Sequence, residues 1–191
     1  MDGRRTQICE VARTIFANEG ADGISMRRIA ADVGITPTAI YRHFTGKAAL
    51  VAAIVDEGFS ILEMNMRRAQ KARTAGKALM GLLECYIDFA LKHPQYFDFM
   101  FLLPRKDARR YPDDFRRRES ATFNILLDLV SDAMERGEFR KDDALETSLT
   151  IWSHGHGFAC LYRSGRFGDH PKRLRMAFRR SMERLFKGLA V

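Results

Sequence analysis

Residues 25 to 47, SMRRIAADVGITPTAIYRHFTGK, leave the backbone few choices. After Gly23, Ser25 is an N-cap candidate, and Met26, Ile29, Ala30 and Val33 recur at i, i+3, i+4 and i+7, one apolar face of a two-turn helix. Gly34 stands where a glycine stops a helix. Thr36 is a second N-cap candidate and Pro37 fits the first position of the next helix, so only Gly34 and Ile35 turn the chain. In that second helix Ile40 and Phe44, four apart, share the inward face, while Thr38 and Arg42 point outward with Ala39 and Tyr41 on their flanks. A small residue at the crossing (Ala30), a left-handed turn and an apolar plug (Ile40) are what two crossed short helices need, so the segment reads as a helix-turn-helix.

Charge placement points to a partner. Helix starts favour acidic residues because the macrodipole is positive there, yet Arg27 and Arg28 follow Ser25 in the first turn. Lys47 does the same after Phe44, where Thr45 can cap a third helix. Each placement is locally unfavourable by tenths of a kcal/mol and makes sense if an external anion closes over the helix end. A run of phosphates is such an anion; solvated surface charge is the plainer account of any one of the three.

Residues 8 to 50 resemble the DNA-binding domain of the TetR (tetracycline repressor) family of bacterial transcription regulators, through Ile8, Ala12, Phe16 and Gly20 of a leading helix, then Ile24, Ile29, Ala30, Gly34, Ile40, Tyr41, His43, Phe44, Lys47 and Leu50. The resemblance implies that Ser25, Arg27 or Arg28, Tyr41, His43 and Lys47 hold phosphates while Thr36, Pro37, Thr38, Ala39 and Arg42 face the major groove. For His43, packing under Phe16 accounts for the position nearly as well as a phosphate, and Tyr41 is open to a rim role. Arg42 is the one long cation on the outward face, and a bidentate contact to guanine suits it. One short recognition helix offers too little surface for specific affinity, so a homodimer on a palindromic double-stranded operator is expected.

The chain of 191 residues is 46% hydrophobic and carries a formal charge of +8, enough for an ample core and agreeable to a polyanion. Much of the basic excess lies at Arg105 to Arg118 and Arg163 to Lys187, where solvated helix faces and loops are the default. There is no Asn-Gly hairpin signal and no sustained period-two alternation, so the expected fold is all-α: a three-helix helix-turn-helix domain over 1–47, then a larger helical ligand-binding and dimerisation domain over 48–191. Cys9, Cys85 and Cys160 are far apart in apolar patterns and read as small buried hydrophobes of a reducing compartment. No run reaches membrane-spanning length and the N-terminus lacks a signal-peptide core, so no membrane partner is expected and the cytoplasm is the expected location.

Beyond Lys47, Leu50 to Met66 pattern as a long connecting helix, whose far end at Met64 and Met66 is expected to approach an aromatic segment, and Leu79, Leu83, Tyr86 and Phe89 as another helix. His93-Pro94 and Pro104 then bracket YFDFMFLL, apolar nearly all round. Phe89, Tyr96, Phe97, Met100 and Phe101 are a candidate wall for a small hydrophobic effector, with dense core packing as the alternative. RKDARRYPDD reads as a loop, and helical patterning resumes over Phe115 to Met134, Asp142 to Arg163 and Pro171 to Leu189. The last two helices are candidates for a dimer seam, Leu174, Phe178, Leu185 and Leu189 forming one stripe. Trp152, His156 and Gly157 resemble the WHG-type C-terminal domain of one branch of the same family, and Trp152 with His156, four apart, would share a pocket face; a hydrogen-bonded core histidine fits equally. Gly155 and Ala159 offer a small-residue stripe to a neighbouring helix, from this chain or a second subunit.

No catalytic, cofactor or metal constellation emerges. His154 and His156 at i, i+2 point to nearly opposite sides of a helix, and there is no Glu-x-x-His pair, phosphate-binding glycine loop or Cys-x-x-Cys. Two other readings stand beside a ligand-released repressor: an all-helical enzyme acting on a small hydrophobic molecule, which leaves the helix-turn-helix unexplained, and a regulator not gated by a ligand.

Overall fold

The computed structural model describes residues 3–69 and 74–191. The described residues form ten α-helices, α1 (Gly3–Glu19), α2 (Met26–Val33), α3 (Pro37–His43), α4 (Lys47–Ala69), α5 (Ala75–Lys92), α6 (Pro94–Phe101), α7 (Asp113–Arg116), α8 (Ala121–Glu135), α9 (Ala144–Arg163) and α10 (Pro171–Leu189), with one short 3-10 helix at Ala21–Gly23. Among the described residues the sole β feature is an isolated antiparallel bridge between Phe139 and Ala190, so the fold is all-α.

Contacts divide the chain into two compact units, Met1–Ser60 with His93–Arg105, and Ile61–Lys92 with Lys106–Val191. In the first, α1 lies against α2 and α6, and α2 crosses α3. Its core is Ile8, Ala12 and Ile15 of α1, Met26, Ile29, Ala30 and Val33 of α2, Ile40 and Phe44, then Leu50, Ile54 and Val55 of α4. The aromatic helix α6, from the middle of the sequence, closes this core. Phe99 meets Phe16 of α1 at 4.3 Å between ring centres. Gly58 of α4 lets α6 come close, since a Cβ there would stand 2.6 Å from Met100 Sδ and 3.1 Å from Tyr96 Cδ1. Arg13 stacks its guanidinium 4.4 Å from the Tyr96 ring centre, donates to the Tyr96 hydroxyl and reaches Glu57 at 3.4 Å, so one cation ties α1, α4 and α6. Near-total burial of Tyr96, Phe97, Phe99 and Met100 is why the sequence around them is apolar almost all round.

The second unit is a bundle in which α5, α8 and α9 contact one another and α10 covers α5 and α9. Asp143 caps α9, its carboxylate accepting from the N–H groups of Leu145 and Glu146 at 2.8 and 3.0 Å. Gly155 is buried where helices converge: a Cβ there would meet Leu83 of α5 at 3.5 Å and Phe178 of α10 at 3.8 Å. The Gly155 and Ala159 stripe therefore receives helices of its own chain.

Two expectations change here. Leu174 and Phe178, assigned to a dimer seam, are 1% exposed within their own unit, because the stripe they share with Met182 is the face α10 turns to α5 and α9. The helix expected from Phe115 to Met134 is two: α7, then α8 from Ala121, separated by a reversal in which Arg118 adopts φ 58°. The Arg118 N–H donates to the Phe115 carbonyl and its own carbonyl accepts from Asn124 Nδ2, and one guanidinium nitrogen reaches both Asp128 oxygens at 2.7 and 2.9 Å, a partner ten residues on that no local pattern announces. The break frees Phe115 to join Phe123, Leu145, Leu127 and Trp152 in one apolar cluster.

Candidate nucleic-acid interface

The turn between α2 and α3 follows the local chemistry of the sequence. Gly34 takes φ 73° and ψ 35° and donates its N–H to the Ala30 and Ala31 carbonyls, and Ile35 N–H also returns to Ala30 at 2.9 Å. Thr36 then accepts from Ala39 N–H at 3.1 Å through Oγ1, with Pro37 in the first turn. Ile40 and Phe44, 0% and 2% exposed, seat α3 on the core. With those two fixed inward, Thr36, Pro37, Thr38, Tyr41 and Arg42 are exposed and Ala39 half-buried, and Tyr41, 54% exposed, is an aromatic residue the unit leaves in water.

The cations around α3 divide into exposed and engaged. Arg27 is exposed. Arg28 instead grips Glu19 of α1 through its two terminal guanidinium nitrogens, with Nε 3.9 Å from Asp32; its hydrogen bond holds the Glu19 carboxyl below the usual carboxylate range. Lys47 donates from Nζ to the Ala21 carbonyl at 2.8 Å, tying the start of α4 to the turn between α1 and α2 while two ammonium protons remain. Ser25 sits at the N-cap of α2 in extended conformation without a capping hydrogen bond from its side chain. His43 is half-buried, and its carbonyl accepts from Arg5 at 2.7 Å.

Arg5 is a supporting residue missed from the sequence. Its guanidinium lies 4.1 Å from the Phe44 ring centre while bonding the last carbonyl of α3, so it holds the C-terminal end of that helix by two contacts. Two adjacent arginines at 4 and 5 ahead of Ile8 were the available signal, and nothing local ties them to residues some forty positions on.

The residues expected to line an effector site fall in both units. Tyr96, Phe97, Met100 and Phe101 belong to α6 in the first, with the Phe97 ring centre 5.0 Å from that of Phe101 and the two rings tilted by 50°. Phe101 in turn meets Phe59 edge-on at 5.8 Å, so the segment sits beside Gly58 and Phe59 of α4, earlier in that helix than Met64 and Met66. Phe89, Trp152 and His156 belong to the second unit, Phe89 being 1% exposed. There Trp152 lies 6.0 to 6.2 Å from Phe123 and Phe115, and His156 binds the Tyr86 hydroxyl at 2.7 Å and Cys160 at 3.3 Å. Two open clefts of the second unit, about 400 and 430 Å³, are lined by other residues, among them Arg67, Asp128 and Arg136 in one and Met134, Lys141 and Asp142 in the other. No described group of three or more His, Cys, Asp and Glu is placed to hold a metal ion, and no described helix is long and apolar enough to cross a membrane.

Comparison with known proteins gives the same reading to both units. Residues 8–54 match the family model of bacterial regulatory proteins, tetR family, and residues 79–185 that of the tetracyclin repressor-like C-terminal domain. The HTH-type transcriptional repressor AcnR of Corynebacterium diphtheriae is 31% identical over 90% of this chain and 87% of its own length. The HTH-type transcriptional regulator YobS of Bacillus subtilis is 24% identical over 81% of this chain and 76% of its own length. A bacterial regulatory protein in the tetR family from Rhodococcus RHA1 superimposes with a TM-score of 0.79 at 21% identity, covering 100% of this chain and 98% of that structure.

Proposed function

The chain belongs to the tetR family of bacterial regulatory proteins, and from that premise we propose that it acts as a homodimer on a palindromic DNA operator, as a repressor released by a small hydrophobic effector. The observation that carries the DNA reading is α3 itself: pinned by Ile40, Phe44 and Arg5, it turns Thr38, Tyr41 and Arg42 outward. In this reading Arg42 reads a guanine edge, with Thr36, Pro37, Thr38 and Ala39 against neighbouring bases. Ser25, Arg27, Tyr41, His43 and Lys47 bind phosphates, Arg28 adding charge while bracing Glu19. A chromosomal target places the protein in the cytoplasm.

Trp152, His156 and Gly157 support the WHG-type assignment of the C-terminal domain. The effector is placed in the second unit, against Phe89, Trp152 and His156, where an aromatic wall stands beside one polar hydrogen-bonded pair. Tyr96, Phe97, Met100 and Phe101 belong to α6 of the first unit, where that helix packs on α1 and α4. The protein is read as a regulator and not an enzyme.

Selection of bound duplexes from a random library tests the central part. The expected result is an inverted repeat whose half-site centres lie about one helical turn, roughly 34 Å, or a multiple of it apart. Recovery of unrelated sequences with binding that vanishes in moderate salt would instead mark non-specific charge attraction.

A further inference from the structure

Helix α10 carries two sets of cations. Arg175 and Arg179 lie beside α5 and pair with it, Arg175 with Asp88 at 2.5 and 3.0 Å and Arg179 with Glu84. Arg173, Arg180, Arg184 and Lys187 are exposed, and among the described residues none of the four has a hydrogen-bond or ion-pair partner. Arg173, Arg180 and Lys187 are seven apart and Arg184 stands four beyond Arg180, so one outer face of the helix presents them all. At 1.5 Å per residue the row is about 21 Å long. The single acid of the helix is Glu183. Arg180 with Arg184, four apart, and Arg184 with Lys187, three apart, are like-charge neighbours that weaken a helix, and an anion laid along the face would offset that. The start of the helix has the same bias. Its first turn has no acidic residue, His170 provides no side-chain cap, and Lys172 and Arg173 add positive charge where the macrodipole is already positive. Asp169, ahead of the cap, is the nearest acid in sequence.

The chemistry of the face selects among anionic partners. A second copy is disfavoured there, because a twofold axis on this face would set the cations of one chain against those of the other. A bilayer surface holds a helix through a free apolar side, and the apolar side of α10, Leu174, Phe178 and Met182, is buried against α5 and α9. An acidic protein would find little apolar centre to an interface, since Met176, 61% exposed, is the one large apolar side chain α10 leaves in water. A phosphodiester backbone asks for less: positive charge and N–H donors, which guanidinium forks supply in matching geometry.

We propose that the outer face of α10 is a second, sequence-independent nucleic-acid site, at which Arg173, Arg180, Arg184 and Lys187 bind the phosphate backbone of duplex DNA and Lys172 extends the contact at the start of the helix. A duplex carries one charge per roughly 1.7 Å of its axis, so a row of about 21 Å meets enough phosphates to engage every cation. The face belongs to the second unit, whereas α3 belongs to the first. Binding at α10 reads no base edge; it holds the chain on DNA of any sequence and steepens the salt dependence of that hold. The site does not rest on the operator reading, and its test uses a chain whose α3 contacts have been removed.

The full chain carrying R42A and K47A is titrated with a fluorescent mixed-sequence duplex of about 20 base pairs over roughly 50 to 200 mM salt. Binding is expected to persist. Adding R173Q, R180Q, R184Q and K187Q should weaken it at least tenfold at the lowest salt and remove about three units of slope from log affinity against log salt. A control with the same loss of charge at scattered exposed positions, K106Q, R116Q, R136Q and K141Q, should keep the slope within about one unit. Bound duplex should also protect Lys172 and Lys187 from acetylation while Lys106 and Lys141 stay reactive, read by peptide mass mapping. Equal losses in the two quadruple variants would reduce the effect to net charge and overturn the proposal. Tighter binding to phosphatidylglycerol vesicles or to polyglutamate than to the duplex, at equal charge concentration, would overturn it too. Complete loss of duplex binding on removing Arg42 and Lys47 would overturn it while leaving the operator reading intact.

Discussion

Arg42 and Lys47 are both exposed cations, yet their removal should have different effects. Lys47→Ala removes the Ala21 carbonyl's donor and, in the proposed reading, one phosphate partner, so binding to every sequence should weaken and the salt dependence should lose about one unit of slope. Arg42→Ala leaves the fold untouched and should relax preference at one or two base pairs, costing about 1 to 3 kcal/mol on the native site alone. Titrations of both variants against matched and mismatched duplexes at several salt concentrations distinguish the two. A common sequence-independent loss would remove Arg42 from the groove. His156 gives a pH signature of another kind. Its folded-state pKa lies below the ordinary 6.5, so the unfolded chain binds the proton more readily. The stability it contributes is present above pH 6.5 and is lost as the pH falls below that value through the lowered folded pKa. Melting temperature should drop over that range, and less so in H156Q.

At the level of elements, the turn and the glycines of α9 make contrasting predictions. Gly34→Ala forces a Cβ into φ 73° and should lower stability by about 1 kcal/mol, read as a shifted urea midpoint with unchanged slope. Gly157→Ala meets open space inside a helix and should stabilise by up to about 1 kcal/mol. The α2 and α3 pair was legible because its determinants are local: Gly34, Thr36 and Pro37 mark each boundary within a few residues, and Ile40 and Phe44 set the buried face by spacing. What escaped depends on distant partners. Arg28 looked misplaced because Glu19, nine positions back, is brought to it only by the fold. Tyr86 meets His156 across 70 positions, and Arg118 at the reversal pairs with Asp128 ten positions on. The apolar stripe of α10 was visible, but a stripe does not say which surface covers it, and Leu174 and Phe178 are covered by their own chain. The dense aromatic run of α6 was likewise visible, and the packing of Phe99 on Phe16 and of Met100 on Gly58 depends on helices over forty residues earlier.

The whole molecule carries a DNA-reading element in one unit and an aromatic, histidine-bearing bundle in the other, and the proposal that the two communicate is thermodynamic. If an effector weakens operator binding by some factor, the operator must weaken effector binding by the same factor. Equal effector affinities with and without operator would remove the gating, even with both ligands bound. Such coupling presupposes the assembly that gives two recognition helices a fixed spacing. That assembly is also what the DNA reading needs, since α3 is seven residues long. Sedimentation of the chain with a duplex bearing the selected inverted repeat is therefore the most direct measurement. The account predicts a complex of two chains per duplex that is lost when either half-site is scrambled. A stable complex of one chain, or one indifferent to scrambling, would contradict it.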